Sequence, residues 1–213
     1  MGIYGRRVLP RLLHLAMGQR EFRAYRARVV PAARGRVLEV GIGSGLNLPF
    51  YGREVTGVVG VDPSAELLRM AEARGRAAPF RVELVDRSAE ELHFGDAEFD
   101  TVVMTWALCS VAEPGTALRE RRRVLKSSGE LLFVEHGLAP DPGVAAWQRQ
   151  LTPLWSRSGG GCHLDRDVGG LVRSAGWEFL DLETGYMRGP RPLTFMYEGR
   201  ARARGSTAAP APP

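Results

Sequence analysis

Three glycines at alternate positions, Gly41, Gly43 and Gly45, close the stretch VLEVGIGSG, with Glu39 just ahead of them. Glycine lets a backbone take left-handed angles and approach a ligand closely. The dinucleotide fingerprint would set its third glycine at position 46, where this chain has Leu46. A carboxylate beside the loop would also repel a pyrophosphate; it suits a ligand with a cationic amino group. Asp62 ends the next apolar run, 21 residues after Gly41. An acid there can accept both hydroxyls of a ribose and would repel a 2′-phosphate. The pattern therefore asks for a ligand with a free ribose at one end and an amino group at the other.

Candidates for proton transfer stand further along. His136 falls at the end of an apolar run, and His163 lies just after the glycine cluster Gly159–Gly161. Each could serve as a general base. His136 could instead only hydrogen-bond at a strand end, and His163 could cap a helix. Glu135 and Asp165 are secondary candidates, with Asp165 also suited to cap the short helix that follows. Cys109 reads as a small packing residue, and Cys162 as packing or substrate contact. Two cysteines are too few for a disulfide framework or a four-cysteine zinc site, and the cysteines and histidines show no metal-ligand spacing, so no metal is expected.

The elements that must position these residues follow from periodicity. Residues 6–30 read as one or two amphipathic helices, with Val8, Leu12, Leu15 and Ala16, then Phe22, Tyr25 and Val29, at helical spacing, arginines outward, and Pro31 ending the pattern. Short β-branched runs follow at Arg36–Val40, Glu54–Asp62, Phe80–Leu84, Phe99–Thr105 and Glu130–His136. Helical stretches alternate with them, one opened by Pro63, others over Pro114–Leu125, Gly143–Trp155 and Arg166–Ser174. Two strands, Glu178–Glu183 and Thr194–Ala201, come without a helix between them and predict an antiparallel hairpin at one sheet edge. Strands that are apolar throughout, alternating with helices, predict an α/β fold with a mostly parallel sheet covered on both faces. Trp147, Leu151, Leu154 and Trp155 supply an apolar stripe that would pack in the core or cover an apolar acceptor.

The chain has 213 residues, enough for one domain with a real core. Nine of its arginines and a single acid, Glu21, fall in residues 1–36, whereas its one lysine is Lys126. Such a leader could meet nucleic acid or anionic lipid, but a solvated arginine face is the simpler reading. No apolar run is long enough to span a bilayer, no signal-peptide core is seen, and Arg6 occupies the position where a myristoylation site prefers Ser or Thr. A cytoplasmic protein is expected. The division expected is an amphipathic leader or lid at 1–35, a catalytic domain at 36–202 and a disordered tail at 203–213.

Taken in order, VLEVGIGSG, VVGVDPS, VDRSAEEL, FDTVVMT and RRVLKSSGELLFVEH resemble the successive motifs of class I S-adenosylmethionine-dependent methyltransferases, over about Arg36 to His136. The resemblance implies a Rossmann-like, seven-stranded, mostly parallel sheet with an antiparallel last strand, and S-adenosyl-L-methionine as cofactor. It also implies that Gly41, Gly43 and Gly45 pass under the methionine part and Glu39 helps fix its amino group. Asp62, followed by Pro63, would hold the ribose hydroxyls. Ser88 and Ala89 would stand at the adenine and Thr105 beside the methionine. The family usually has Asp where Ser88 stands, which implies a rearranged adenine contact. From Thr105 onward, ALCSV, RRVLKSSGELLFVEH and GCHLDRD resemble bacterial relatives of the methyltransferase-like 7 thiol S-methyltransferases. That narrower likeness implies a small-molecule acceptor, a thiol or another lipophilic molecule. The animal members of that group carry a membrane-associated N-terminal segment; here the leader is not apolar enough to span, which leaves peripheral contact as the only membrane role considered. Alternatives are methylation of a phospholipid, quinone or phenol. In another class stand a nucleic-acid-associated protein and a non-catalytic S-adenosylmethionine sensor. The sequence disfavours nucleic acid, since TWAL stands where base methylases carry an Asn-Pro-Pro-Tyr-type motif.

Overall fold

A computed structural model describes residues 4–90 and 92–205. Seven strands form one sheet: β1 (Gly35–Val40), β2 (Val55–Asp62), β3 (Arg81–Asp86), β4 (Phe99–Thr105), β5 (Leu125–His136), β6 (Trp177–Tyr186) and β7 (Phe195–Ala203). Their spatial order is β3-β2-β1-β4-β5-β7-β6. All pairs up to β4–β5 are parallel, while β7 runs antiparallel to both β5 and β6. The expected hairpin is present, but its second strand lies inside the sheet and its first strand forms the edge. The order reverses between β1 and β4, so the loops after these strands open the crevice where ligands bind in such sheets.

Alternate residues of the central strands feed two cores. Leu38, Val40, Val102, Met104, Leu131 and Phe133 pack on one face with Leu118, Val172 and Trp177; Val37, Val58, Val103, Leu132 and Val134 pack on the other with Val29, Leu48 and Leu68. Helices thus cover both faces: α2 (Arg20–Val29) and α3 (Ala65–Ala77) on one, α4 (Pro114–Val124) and α6 (Val168–Ser174) on the other. Trp177 is fully buried, and its indole N–H donates to the Leu118 carbonyl at 3.2 Å, which satisfies the one polar atom such a residue carries into a core.

Several sequence expectations need correction. In α1 (Leu9–Met17), Val8, Leu12 and Leu15 face solvent, while Leu9, Leu13 and Met17 turn inward. The inward stripe lies one residue away from the expected one, because so short a helix, apolar except for Arg11 and His14, leaves its phase ambiguous. In α5 (Pro142–Ser158), Trp147 and Leu154 are exposed rather than in the core, whereas Trp155 lines the cavity described below; the buried face is Ala145, Gln148 and Thr152. Gln148 is buried because its amide bridges the Ala139 N–H and the Gly137 and Pro192 carbonyls. Asp167, not Asp165, caps α6, accepting from the Gly170 N–H at 2.9 Å; Asp165 instead accepts from the Thr152 hydroxyl. Pro63 precedes the cap of α3, whose cap is Ser64. Nearly all of the expected tail, residues 206–213, lies outside the described residues; Ala203 ends β7.

Candidate active site

The first strand delivers Glu39 and then breaks into the glycine loop. Gly41, Gly43 and Gly45 all have positive φ, at 77°, 55° and 76°. A Cβ on Gly41 would lie 2.6 Å from the Ala107 side chain, and one on Gly45 would press into Leu48 and Ala71 of α3. Gly43 differs: its Cβ would meet nothing closer than a backbone oxygen at 3.9 Å, so there the glycine leaves room on the cavity side. Gly41→Ala should cost about 2 kcal/mol or more of stability, from left-handed strain and the clash with Ala107 together. Chemical denaturation checks this, and a loss under about 0.5 kcal/mol would contradict the packing described.

Asp62 anchors the loop from β2. Its Oδ2 accepts from the Gly43 N–H at 3.0 Å and its Oδ1 from the Ser64 N–H at 2.9 Å. Burial pushes its carboxyl up, and these two amide bonds oppose the rise.

Glu39 sits at the centre of a buried polar network. Its Oε1 accepts from Asn47 Nδ2 at 2.9 Å and its Oε2 from the Tyr51 hydroxyl at 2.7 Å. Asn47 Nδ2 also donates to Thr105 Oγ1 at 3.0 Å, and Asn47 Oδ1 accepts from Arg26 Nε at 2.9 Å. Arg26 is therefore not on the solvated arginine face expected of the leader. It is buried, donates a second bond to the Met17 carbonyl, and lies over the Trp106 ring at 4.8 Å. Burial drives the Glu39 carboxyl up to about 7, against the hydrogen bonds of Tyr51 and Asn47 and the charge of Arg26. The same burial pulls Arg26 down to about 10. Trp106, the residue after β4, is held at φ 51°, with its indole nitrogen buried and unpartnered among the described residues. Phe22 meets its ring edge-on at 5.1 Å.

Phe22, Arg26, Glu39, Asn47, Asp62, Thr105 and Trp106 line one cavity of about 1510 Å³. Gly41, Gly43, Pro63, Ser88 and Ala89 line it as well, and so do His136, Cys109 and Cys162. Leu9, Leu13, His14, Met17 and Phe22 of the leader complete the wall, and the His14 ring nitrogen lies 2.7 Å from Ser44 Oγ of the glycine loop. Gly45 is packed beneath the loop. His163 does not line the cavity: its ring faces the Cys109 carbonyl at 3.3 Å and Arg166, and its N–H donates to the same carbonyl at 2.9 Å. Glu135 is buried, and its Oε1 is held by the amides of Ala107 and Leu108 at 2.9 Å each. Burial lifts it to about 7. Ser88 Oγ bonds the Glu90 carboxylate, which reaches the cavity and is fixed by the Ala112 N–H at 2.9 Å. Cys162 Sγ stands 3.6 Å from His136 Nε2. The Cys109 thiol holds Cys162 below the usual thiol range, and Cys162 with burial pushes Cys109 well above it.

Sequence reasoning missed Arg26, Asn47, Tyr51, Trp106 and Glu90. Asn47 and Tyr51 could have been suspected, since they follow the glycines within the same loop.

The sheet order, the glycine loop at its reversal and the acid ending β2 define a Rossmann-like domain built to hold a ribose-bearing ligand at the strand ends. A methyltransferase-domain family matches residues 38–133. Over 175 residues the chain is 34% identical to human thiol S-methyltransferase TMT1B, covering 78% of this chain and 69% of that protein. It is 42% identical over 121 residues to the phosphatidylethanolamine N-methyltransferase of Cereibacter sphaeroides, covering 55% and 58%. The match to rat TMT1B spans 62% of that protein, so part of each relative lies outside the comparison. A crystal structure of an S-adenosylmethionine-dependent methyltransferase from Thermotoga maritima superposes with a TM-score of 0.68 at 22% identity, over 95% of this chain and 99% of that one. The chain belongs to the class I S-adenosylmethionine-dependent methyltransferases, and S-adenosyl-L-methionine is its cofactor. The donor set fits it, with a buried carboxylate on each side of a loop whose middle glycine leaves space. No helix among the described residues is long and apolar enough to cross a membrane.

Proposed function

We propose that this enzyme methylates the sulfur of a small lipophilic thiol. The observation that carries the reading is the set of apolar side chains and thiols in the cavity lining. Leu9, Leu13, Phe22, Met187, Leu193 and Met196 line it together with His136, Cys109 and Cys162. Glu135, the carboxylate nearest in sequence, spends Oε1 on backbone amides. An acceptor that ionises readily suits such a site, because a thiolate needs no strong base near neutral pH. The likeness to thiol S-methyltransferase TMT1B supports the same choice.

The cofactor supplies a methyl group on a sulfonium leaving group, so the chain's work is mostly binding and alignment. In this reading Glu39 takes the cofactor's amino group and Asp62 its ribose hydroxyls. Gly41, Gly43 and Gly45 let the loop pass close beneath it, with Pro63 fixing the turn after Asp62. Thr105, tied to Asn47, flanks the methionine part. Ala89 and Ser88 face the adenine, and Glu90 supplies through Ser88 the carboxylate that the family usually carries at that position. His136 faces the acceptor, and His163 holds the loop behind it. Residues 1–35 act as the lid, because Arg26 and His14 join the leader to the glycine loop and Phe22 joins it to Trp106.

Glu90→Ala should weaken cofactor binding by about tenfold without abolishing it, as expected for one lost charged hydrogen bond of about 1.5 kcal/mol. An unchanged Kd by calorimetry would remove Glu90 from the adenine site. A second reading, methylation of an amphiphilic headgroup, draws on the solvent-facing Val8, Leu12 and Leu15, on Trp155 at the cavity wall, and on the likeness to the Cereibacter sphaeroides enzyme. One assay separates the two: labelled S-adenosyl-L-methionine offered with alkyl and aryl thiols, phenols, quinones and ethanolamine lipids. Transfer to thiols alone is the expected result. Transfer to lipid amines, with thiols inert, would replace the first reading by the second.

A further inference from the structure

Cys109, His136 and Cys162 are 26 to 53 residues apart and come from three separate segments, yet their Sγ, imidazole nitrogen and Sγ atoms all lie within 4.8 Å of one another. The convergence is enforced by backbone. The His163 N–H donates to the Cys109 carbonyl at 2.9 Å, locking the glycine-cluster loop to the turn after β4. Gly161, at φ 88°, lets that loop run against the Ser110 carbonyl, where a Cβ would lie 3.2 Å from the oxygen. His136 arrives from the end of β5, in register with Met196 of β7. All three side chains line the same cavity as Glu39 and Asp62.

We propose that Cys109, His136 and Cys162 form a three-donor site for a thiophilic cation of the zinc class, with its fourth coordination position facing the cavity. Two sulfurs and one imidazole nitrogen are a donor set that such ions favour. The geometry is close to what the ion requires. Bonds of about 2.3 Å to sulfur and about 2.05 Å to nitrogen at tetrahedral angles place those two atoms about 3.6 Å apart. Cys162 Sγ and His136 Nε2 are 3.6 Å apart. Tetrahedral binding places the sulfurs about 3.8 Å apart, and they lie within 4.8 Å here, a difference within reach of side-chain rotation. Two thiolates neutralise a divalent ion, so the site adds no net charge beside the Arg166 guanidinium and the Glu135 carboxylate. Three protein ligands with one open position is the arrangement of catalytic, not structural, zinc. The open position fits a sulfur ligand; this last clause rests on the thiol reading above, with the acceptor's proton released to solvent on binding.

The test uses the full chain and needs no turnover. Metal content after purification in zinc-containing medium should be one equivalent per chain. Cobalt(II) added to the metal-free protein should give one equivalent of thiolate-to-cobalt absorption. Cys109→Ser and Cys162→Ser should each weaken cobalt binding by at least about 100-fold, while S-adenosyl-L-methionine affinity stays within about threefold and certifies the fold. No thiolate absorption in the wild type, or the same absorption in the Cys109→Ser/Cys162→Ser double variant, would overturn the site. A small thiol such as 2-mercaptoethanol should shift the cobalt spectrum; an unshifted spectrum on a loaded site would remove the fourth-ligand clause. Failure of the thiol reading itself would show separately, as absence of thiol methylation in the acceptor screen.

Discussion

Asp62→Ala lowers the affinity for S-adenosyl-L-methionine by at least about 100-fold. Two contributions converge on this carboxylate. It would accept the ribose hydroxyls, and charge-assisted hydrogen bonds of that kind contribute about 1.5–3 kcal/mol each. It also holds the Gly43 and Ser64 amides at 3.0 and 2.9 Å, so its loss frees the glycine loop. Together these exceed the roughly 2.7 kcal/mol that a 100-fold change requires. Folding should survive, because removing a buried carboxylate also removes its desolvation cost. Asp62→Asn keeps an acceptor on one side and should fall between wild type and Ala. Titration calorimetry reads both, and an Asp62→Ala Kd within threefold of wild type would detach Asp62 from the cofactor.

Glu39→Gln has the second large effect, and its sign differs between stability and binding. The folded protein holds the Glu39 carboxyl at about 7, against an ordinary value of 4.5. Between those values the unfolded chain has released a proton that the folded chain keeps. The folded form therefore binds more protons, and the cofactor-free protein loses stability as pH rises from about 4.5 through 7, by about 3 kcal/mol in all. Gln resembles the protonated carboxyl, and the Tyr51 hydroxyl can turn from donor to acceptor. Glu39→Gln should match wild type at pH 5, leaving amide differences aside, and exceed it by about that amount at pH 8. Binding runs the other way. A cationic amino group needs the ionised carboxylate, so wild-type affinity should rise severalfold from pH 6 to 8, with proton release on binding near pH 6.5. Glu39→Gln should bind about tenfold or more weakly at pH 8, with a flat profile, for loss of one buried charge pair. Thermal unfolding at the two pH values and calorimetry in buffers of different ionisation enthalpy check this. Parallel wild-type and variant curves in both measurements would sink the assignment.

The parts of the site that are local in sequence were legible in it. Glu39, the three glycines and Asp62 lie at strand ends whose apolar runs mark them out, and a left-handed glycine loop leaves its signature in residue type alone. The sheet was legible for the same reason, down to the hairpin without a helix between its strands. What the sequence hid depends on long-range packing. Arg26 looks like any other arginine of a basic leader until α2 docks it on Asn47. The helical phase of α1 was lost because a nine-residue helix whose only polar residues are Arg11 and His14 offers more than one apolar stripe, and tertiary contacts choose between them. Cys109, His136 and Cys162 show no spacing because their convergence is made by strand order and by a glycine loop, neither of which periodicity encodes.

The position of β7 has a consequence for how the molecule is assembled. It follows β6 in the chain, yet it enters the sheet between β5 and β6. A nascent chain that has emerged only as far as β6 has an open β5 edge, because the strand that will pair with Leu131–His136 has not yet been made. One anchor of the leader waits on it too: Arg28 of α2 pairs with Glu198 of β7 at 2.7 Å. The glycine loop can form early from contiguous segments and can receive Arg26, but the Arg28 contact of the leader and the strand partner of His136 come only when β7 inserts. Ribosome-bound chains stopped before Phe195 should therefore present an unpaired apolar strand to chaperones, and those released beyond Ala203 should not.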